Sequence, residues 1–133
     1  MTLHHLGIVA KNLESALATF RIDKSNIVEK VEDSNQGNLL YFIKYPNSNF
    51  VLEIIIPTRA NSTVSNFALK HNVGLHHLAF KTDSVSSSTD EHRSMAGHFP
   101  LGQYEINVDT FGGLIKTSFV SANGNLIEYV ENV

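Results

Sequence analysis

Two histidine doublets, His4-His5 and His76-His77, stand in a chain of 133 residues that has seven histidines and no cysteine. Imidazole carries protons near neutral pH and ligates divalent metals, so paired histidines are the first place to look for chemistry. Two glutamates are equally conspicuous. Glu53 sits inside Val51-Leu52-Glu53-Ile54-Ile55-Ile56, and Glu128 follows Leu126-Ile127. A carboxylate within an apolar strand covered on both faces is costly to bury, so it pairs, protonates or binds a metal. The spacing ties the four together. Leu3-His4-His5-Leu6 recurs 72 residues later as Leu75-His76-His77-Leu78. Val51-Leu52-Glu53 recurs 75 residues later as Leu126-Ile127-Glu128, and Leu39-Leu40 recurs as Leu114-Ile115 at the same offset. Two ordered matches at nearly equal offsets indicate a duplicated module of about sixty residues.

Each module then donates one histidine from its first strand and one glutamate from its last. Brought together, His5, Glu53, His77 and Glu128 form a set of two imidazoles and two carboxylates. Two neutral imidazoles, two carboxylates and one divalent cation sum to zero charge, which permits a buried site. Such donors suit Zn, Ni, Co, Mn or Fe rather than Ca. Blander readings compete: a strand histidine usually serves as a hydrogen-bonded core or surface residue, and a strand glutamate can pair with an arginine. The doublets also leave open which histidine of each points inward. Obedience to the repeat favours the four-residue cluster. His71, His92 and His98 lie outside the repeat and read as structural residues, and Gln36-Gly37 as a tight turn.

The elements that must position these residues are legible. Residues 2–10 alternate as a strand, and Asn12 is a plausible N-cap. Leu13, Ala16, Leu17 and Phe20 then mark one helical face. Strands follow at 26–32, 38–45 and 50–56, with Pro46-Asn47-Ser48-Asn49 as a turn and Pro57 closing the last strand. Ser62 or Thr63 caps a short connecting helix that carries Val64, Phe67 and Ala68 and is followed by Gly74. The second half repeats the order: a strand at 75–82, a Ser-rich helix capped by Asp83 and running to about residue 96, then strands at 103–108, 114–121 and 126–131. Ala122-Asn123-Gly124-Asn125 is the turn between the last two. The expected fold is α+β, two tandem βαβββ modules in a single domain over 1–133. Module one covers about 1–57, the connecting helix about 62–72 and module two about 75–133.

Composition narrows the function classes. Apolar residues make up 42% and charged residues 17%, which excludes a disordered chain. Without cysteine there is no disulfide framework, no cysteine zinc site and no thiol nucleophile. Ten Lys and Arg against thirteen Asp and Glu give a net charge of −3, so nothing points to a nucleic-acid partner. No apolar run reaches the roughly 18 residues of a membrane span, and no signal peptide precedes the first strand. The expected setting is cytoplasmic.

Several stretches carry a family resemblance. They are His4-His5-Leu6-Gly7-Ile8-Val9 with Leu13-Glu14-Ser15-Ala16, Gln36-Gly37, Leu52-Glu53-Ile54-Ile55-Ile56-Pro57, Ser62 to Lys70, Gly74-Leu75-His76-His77-Leu78-Ala79-Phe80, and Asn125-Leu126-Ile127-Glu128. Over nearly its whole length the chain resembles the vicinal oxygen chelate (glyoxalase/bleomycin resistance/dioxygenase) superfamily, and within it the methylmalonyl-CoA epimerases. The resemblance implies that paired βαβββ modules curl into a half-barrel holding a metal. The family's ligands fall on His5, Glu53, His77 and Glu128, the residues chosen by the repeat. It also implies an isomerase or lyase that abstracts a proton α to a metal-bound carbonyl, with Glu128 as the candidate base and an enolate intermediate. The substrate would be a small molecule, an acyl-CoA or a thiol adduct, and the protein a homodimer.

The sequence departs from the epimerase pattern at Leu40, where that group places a second catalytic glutamate. Epimerisation removes a proton from one face and returns it to the other, which ordinarily takes two acid/base groups. The first helix also ends differently, in Thr19-Phe20-Arg21-Ile22, where relatives shape the substrate pocket. Glyoxalase-I-like lactoylglutathione lyase chemistry matches the His-Glu-His-Glu set and can use the metal-bound glutamate as base. Ring-cleaving dioxygenation fits less well, because Glu53 adds a fourth ligand. A non-catalytic small-molecule-binding protein of the bleomycin-resistance type is the rival from another class.

Overall fold

Alternation of side chains over the first residues makes a strand, and the computed structural model, which describes residues 1–133, begins with β1 at Thr2–Ala10. Asn12 caps helix α1 (Leu13–Phe20), its side chain accepting the Ser15 N–H at 2.8 Å. Ala16 and Leu17 are buried. Phe20, expected on the same face, is exposed because the helix ends there: Arg21 turns left-handed at φ 55°, and Ile22 takes the buried place beyond it. Strands β2 (Ile27–Asp33), β3 (Asn38–Lys44) and β4 (Val51–Pro57) complete the first βαβββ order. Helix α2 (Ser65–His71) follows, and then β5 (Val73–Lys81), α3 (Val85–Asp90), β6 (His98–Val108), β7 (Gly113–Ala122) and β8 (Asn125–Asn132). The fold is α+β. Its eight strands run in the order β2-β3-β4-β1-β5-β8-β7-β6. No helix is long and apolar enough to cross a membrane.

The chain divides into two compact units. Residues 6–76 form one, in which β2, β3 and β4 pair antiparallel. Its core joins Ala10, Ala16, Leu17, Ile22, Ile43 and Ile54, all buried, with Leu13, Tyr41 and Leu52 packed against them. Opposite residues in an antiparallel pair share a face, and Leu40 faces Ile55 while Phe42 faces Glu53. Gly37 closes the β2–β3 turn at φ 73°, donating its N–H to the Asp33 carbonyl at 2.9 Å. A Cβ there would meet the Arg59 side chain at 2.6 Å, which the flexible arginine can yield, so it is the backbone angle that calls for glycine.

Residues 1–5 and 77–133 form the other unit. Here β5 pairs parallel with β8, and β8, β7 and β6 pair antiparallel. Val85, Val120 and Tyr129 are the buried centre, with Phe80 and Ile127 against them. Burying a side chain of valine size contributes roughly 1.5 kcal/mol or more. The β7–β8 hairpin turns through Asn123-Gly124, with φ of 51° and 82°, while Ala122 stays paired with Asn125. Two consecutive positive φ values give the tight turn whose twist suits a hairpin.

Three expectations are corrected. Helix α3 is capped by Ser84, not Asp83, and ends at Asp90 rather than near residue 96. Its hydroxyls explain the early stop. Thr89 bonds back to the Val85 carbonyl at 2.7 Å and across to Ser118 at 2.7 Å, and the chain beyond continues in tighter turns, His92 N–H to Thr89 and Met95 N–H to His92. Strand β6 starts at His98, five residues before the expected 103, and accommodates Pro100 with an irregularity between Pro100 and Gly102. It is the last strand in the order, where proline is tolerated. Helix α2 begins at Ser65 without a side-chain cap. The Ser62 hydroxyl accepts from Val64 N–H at 3.1 Å, and Thr63 instead bonds Gln36 and Asn38.

Candidate metal centre

Strand alternation and register bring three of the four sequence-selected residues together within one unit. On β5, His77 and Ala79 share a buried face, and Ala79 pairs with Glu128 on β8. His77 and Glu128 are therefore diagonal neighbours. Phe119 on β7 faces Glu128 from the other side, and its ring meets the His77 imidazole edge-on at 5.6 Å. Strand β1 delivers His5. All three are almost fully buried: His5 is 1% exposed, His77 5% and Glu128 5%.

The geometry of the polar atoms is compact. His5 Nε2 lies 3.2 Å from His77 Nε2. Glu128 Oε2 lies 3.1 Å from the first and 2.9 Å from the second. Despite those distances, Oε2 has no partner with hydrogen-bond geometry. The Glu128 oxygen thus meets both ring nitrogens away from N–H directions, while the two Nε2 atoms face each other with hydrogen-bond geometry. Donor atoms held about 2.1 Å from one cation, at right to tetrahedral angles, stand roughly 3.0 to 3.4 Å apart. The observed triangle is close to that spacing, so this His-Glu-His group fits a divalent cation.

The charges agree with that fit. Burial pushes the Glu128 carboxyl up, but the imidazole of His5, followed by that of His77, holds it well below the usual carboxylate range. Glu128 is therefore ionised where it meets the two rings. A buried carboxylate requires such compensation, from imidazolium or from a metal.

Glu53 belongs to the other unit. It lies on β4, 8% exposed, between Leu52 and Ile54 and opposite the fully buried Phe42. Leu40 lies on the same sheet face, opposite Ile55, and is itself buried at 6% exposure. The position at which the sequence departs from the epimerase pattern is thus an apolar side chain in the interior.

The structure settles which histidine of the first doublet turns inward, and it adds a role for the other. His4 is half-buried, and its Nδ1 meets His5 Nδ1 at 2.9 Å. Burial, and after it the His5 imidazole, lowers the His4 pKa to about 4, so this ring is neutral at ordinary pH. Phe111 stacks on His5 at 5.2 Å and touches the His4 ring at 4.3 Å. The doublet itself was the only sequence signal for this contact. His92 and His98, read as structural, form a separate chain: His92 Nδ1 meets His98 Nδ1 at 2.8 Å, and His92 Nε2 bonds the hydroxyl of Tyr129.

Comparison with known proteins agrees with this fold. The Glyoxalase/Bleomycin resistance protein/Dioxygenase superfamily matches residues 4–105. Among solved structures, methylmalonyl-CoA epimerase from Mycobacterium tuberculosis superposes with a TM-score of 0.79 at 21% identity, over 99% of this chain and 88% of the other. A methylmalonyl-CoA epimerase in complex with methylmalonyl-CoA and NH4+ also gives 0.79 at 21% identity, over 99% and 94% of the two chains. A Streptomyces coelicolor methylmalonyl-CoA epimerase variant in complex with 2-nitronate-propionyl-CoA gives 0.78 at 22% identity, over 100% and 98%. No curated protein matches the sequence. With more than half of its length matched, and with its duplicated βαβββ order, the chain belongs to the glyoxalase/bleomycin resistance protein/dioxygenase superfamily.

Proposed function

We propose that this protein is a metal-dependent isomerase or lyase that removes a proton next to a carbonyl group, through an enolate, on an acyl-CoA or related thiol-linked substrate. His5, Glu53, His77 and Glu128 together would hold one divalent cation of the Zn, Ni, Co, Mn or Fe group. The observation that carries the reading is the buried Glu128 carboxylate, with Oε2 about 3 Å from two imidazole nitrogens and no hydrogen-bond partner of its own. Glu53 supports it through its burial, its donor type and its place in the repeat. When bound, the cation supplies Lewis acidity, which lowers the cost of negative charge on a carbonyl oxygen.

The chain's own residues supply the rest. Glu128 is ionised, and a carboxylate has two oxygens, so one can face a cation while the other takes a proton. Glu128 is buried and faces Phe119, and the exclusion of water strengthens each electrostatic contact. Leu40 offers no second proton carrier. That observation favours a second reading, a glyoxalase-I-like lyase on the thiol adduct of a 2-oxoaldehyde, in which one base moves a proton between adjacent carbons. Assembly as a homodimer in the cytoplasm is part of the same proposal.

The test is to load the protein with Zn, Co or Ni and incubate it in D₂O with a panel of acyl-CoA thioesters and thiol–aldehyde adducts. Deuterium at the carbon next to the carbonyl is expected for one class, and the class that exchanges separates the two readings. A metal-loaded protein that exchanges none of them overturns the enzymatic reading. Purified protein without stoichiometric metal, even after loading, favours a binding protein of the bleomycin-resistance type.

A further inference from the structure

We infer that His4 is a positioning residue: it accepts the Nδ1–H of His5 and thereby holds His5 in the tautomer whose Nε2 carries a free lone pair. The inference rests on the metal-site reading above, in which His5 Nε2 is a ligand atom. Neutral imidazole carries one proton on its two nitrogens, so Nε2 can ligate only when Nδ1 holds the hydrogen. Neighbours along a strand point to opposite faces, yet these two rings meet through their Nδ1 atoms at 2.9 Å. One Nδ1 must therefore donate and the other accept.

With His5 as donor, His4 carries its own proton on Nε2. The pair stays neutral, so the site's charge balance is unchanged. Phe111 fixes the geometry from the side. Its ring lies nearly parallel to His5, at 19° and 5.2 Å, and within 4.3 Å of His4. Rotation of the His5 ring would break both the stack and the nitrogen–nitrogen contact. Outer partners of this kind set ligand orientation and basicity, and their loss costs about 10- to 100-fold in metal affinity.

The experiment measures zinc affinity by competition with a chromophoric chelator in wild type, His4→Leu and His4→Gln, together with ¹⁵N NMR of the His5 ring in the zinc-loaded wild type. His4→Leu removes the acceptor and is expected to bind zinc about 10- to 100-fold more weakly. His4→Gln keeps an acceptor in its amide oxygen and is expected to recover most of that loss. The His5 ring is expected to carry its hydrogen on Nδ1. Zinc binding by His4→Leu at wild-type affinity overturns the inference while leaving the metal site standing, and a hydrogen on Nε2 of His5 in the zinc-loaded protein overturns it together with His5 as a ligand. A wild type that binds no zinc overturns the metal-site reading and this inference with it. Should His4→Leu fail to fold, the glutamine variant and the NMR measurement on wild type still decide the matter.

Discussion

The Glu128 carboxylate meets both buried imidazoles, those of His5 and His77. Glu128→Gln preserves size and removes the charge, and with it the base of the proposed function. We expect proton exchange on the substrate to fall about 100-fold or more, in line with what a positioned base contributes, as read by deuterium incorporation. Exchange at the wild-type rate would remove Glu128 from the role of base. A simpler electrostatic effect operates at Asp23, far from this chemistry. Its side chain accepts the Ser25 N–H at 2.8 Å, and that bond, followed by the Ser25 side chain, holds its pKa below 3.8. A carboxyl whose folded pKa is depressed stabilises the fold above its ordinary pKa, and the contribution disappears as pH falls through the lowered value. An NMR titration of the Asp23 carboxyl carbon should place its midpoint below 3.8, and a midpoint at or above that value would contradict the bond.

At the scale of elements, local side-chain bonds decide where helices begin and end. Asn12→Ala removes the α1 cap and should cost about 1 kcal/mol in urea unfolding. His92 ties the segment after α3 to β8 through the Tyr129 hydroxyl, and both side chains are buried. His92→Leu leaves that hydroxyl unpaired, and a loss of about 1–3 kcal/mol is expected by the same measurement. The elements also show what a sequence discloses. Strand β1 was legible to the residue, and α1 through Asn12 and its apolar spacing, because those signals are local. His5, Glu53, His77 and Glu128 were selected because duplication places them at matching strand positions. The length of α3 was not legible: the Thr89 hydroxyl bonds Ser118, which is 29 residues away, and periodicity carries no trace of that. The first five residues of β6 were hidden for a similar reason. Phe99 and Pro100 become strand only by pairing with Ser121 and Val120. The His4–His5 contact runs against strand alternation and so could not be read from it.

For the molecule as a whole, a cation that binds the folded state and not the unfolded chain should raise stability by mass action. At a free metal concentration of 100 times its Kd, about 2.7 kcal/mol is expected in urea unfolding, reversed by a chelator. Identical unfolding curves with and without metal would argue against a bound cation in the native state. The Asn123-Gly124 turn has a further consequence for how such a protein can diverge. It fixes the count of residues between Phe119 and Glu128, and side chains on β8 alternate sides one by one. One residue added while the two-residue turn is kept would slide Ile127 opposite Phe119, and one removed would slide Tyr129 there. Hairpin length alone would then exchange an anionic donor for a hydrocarbon or a phenol, so a descendant could abandon or remake its chemistry through an insertion or deletion, with no substitution at Glu128.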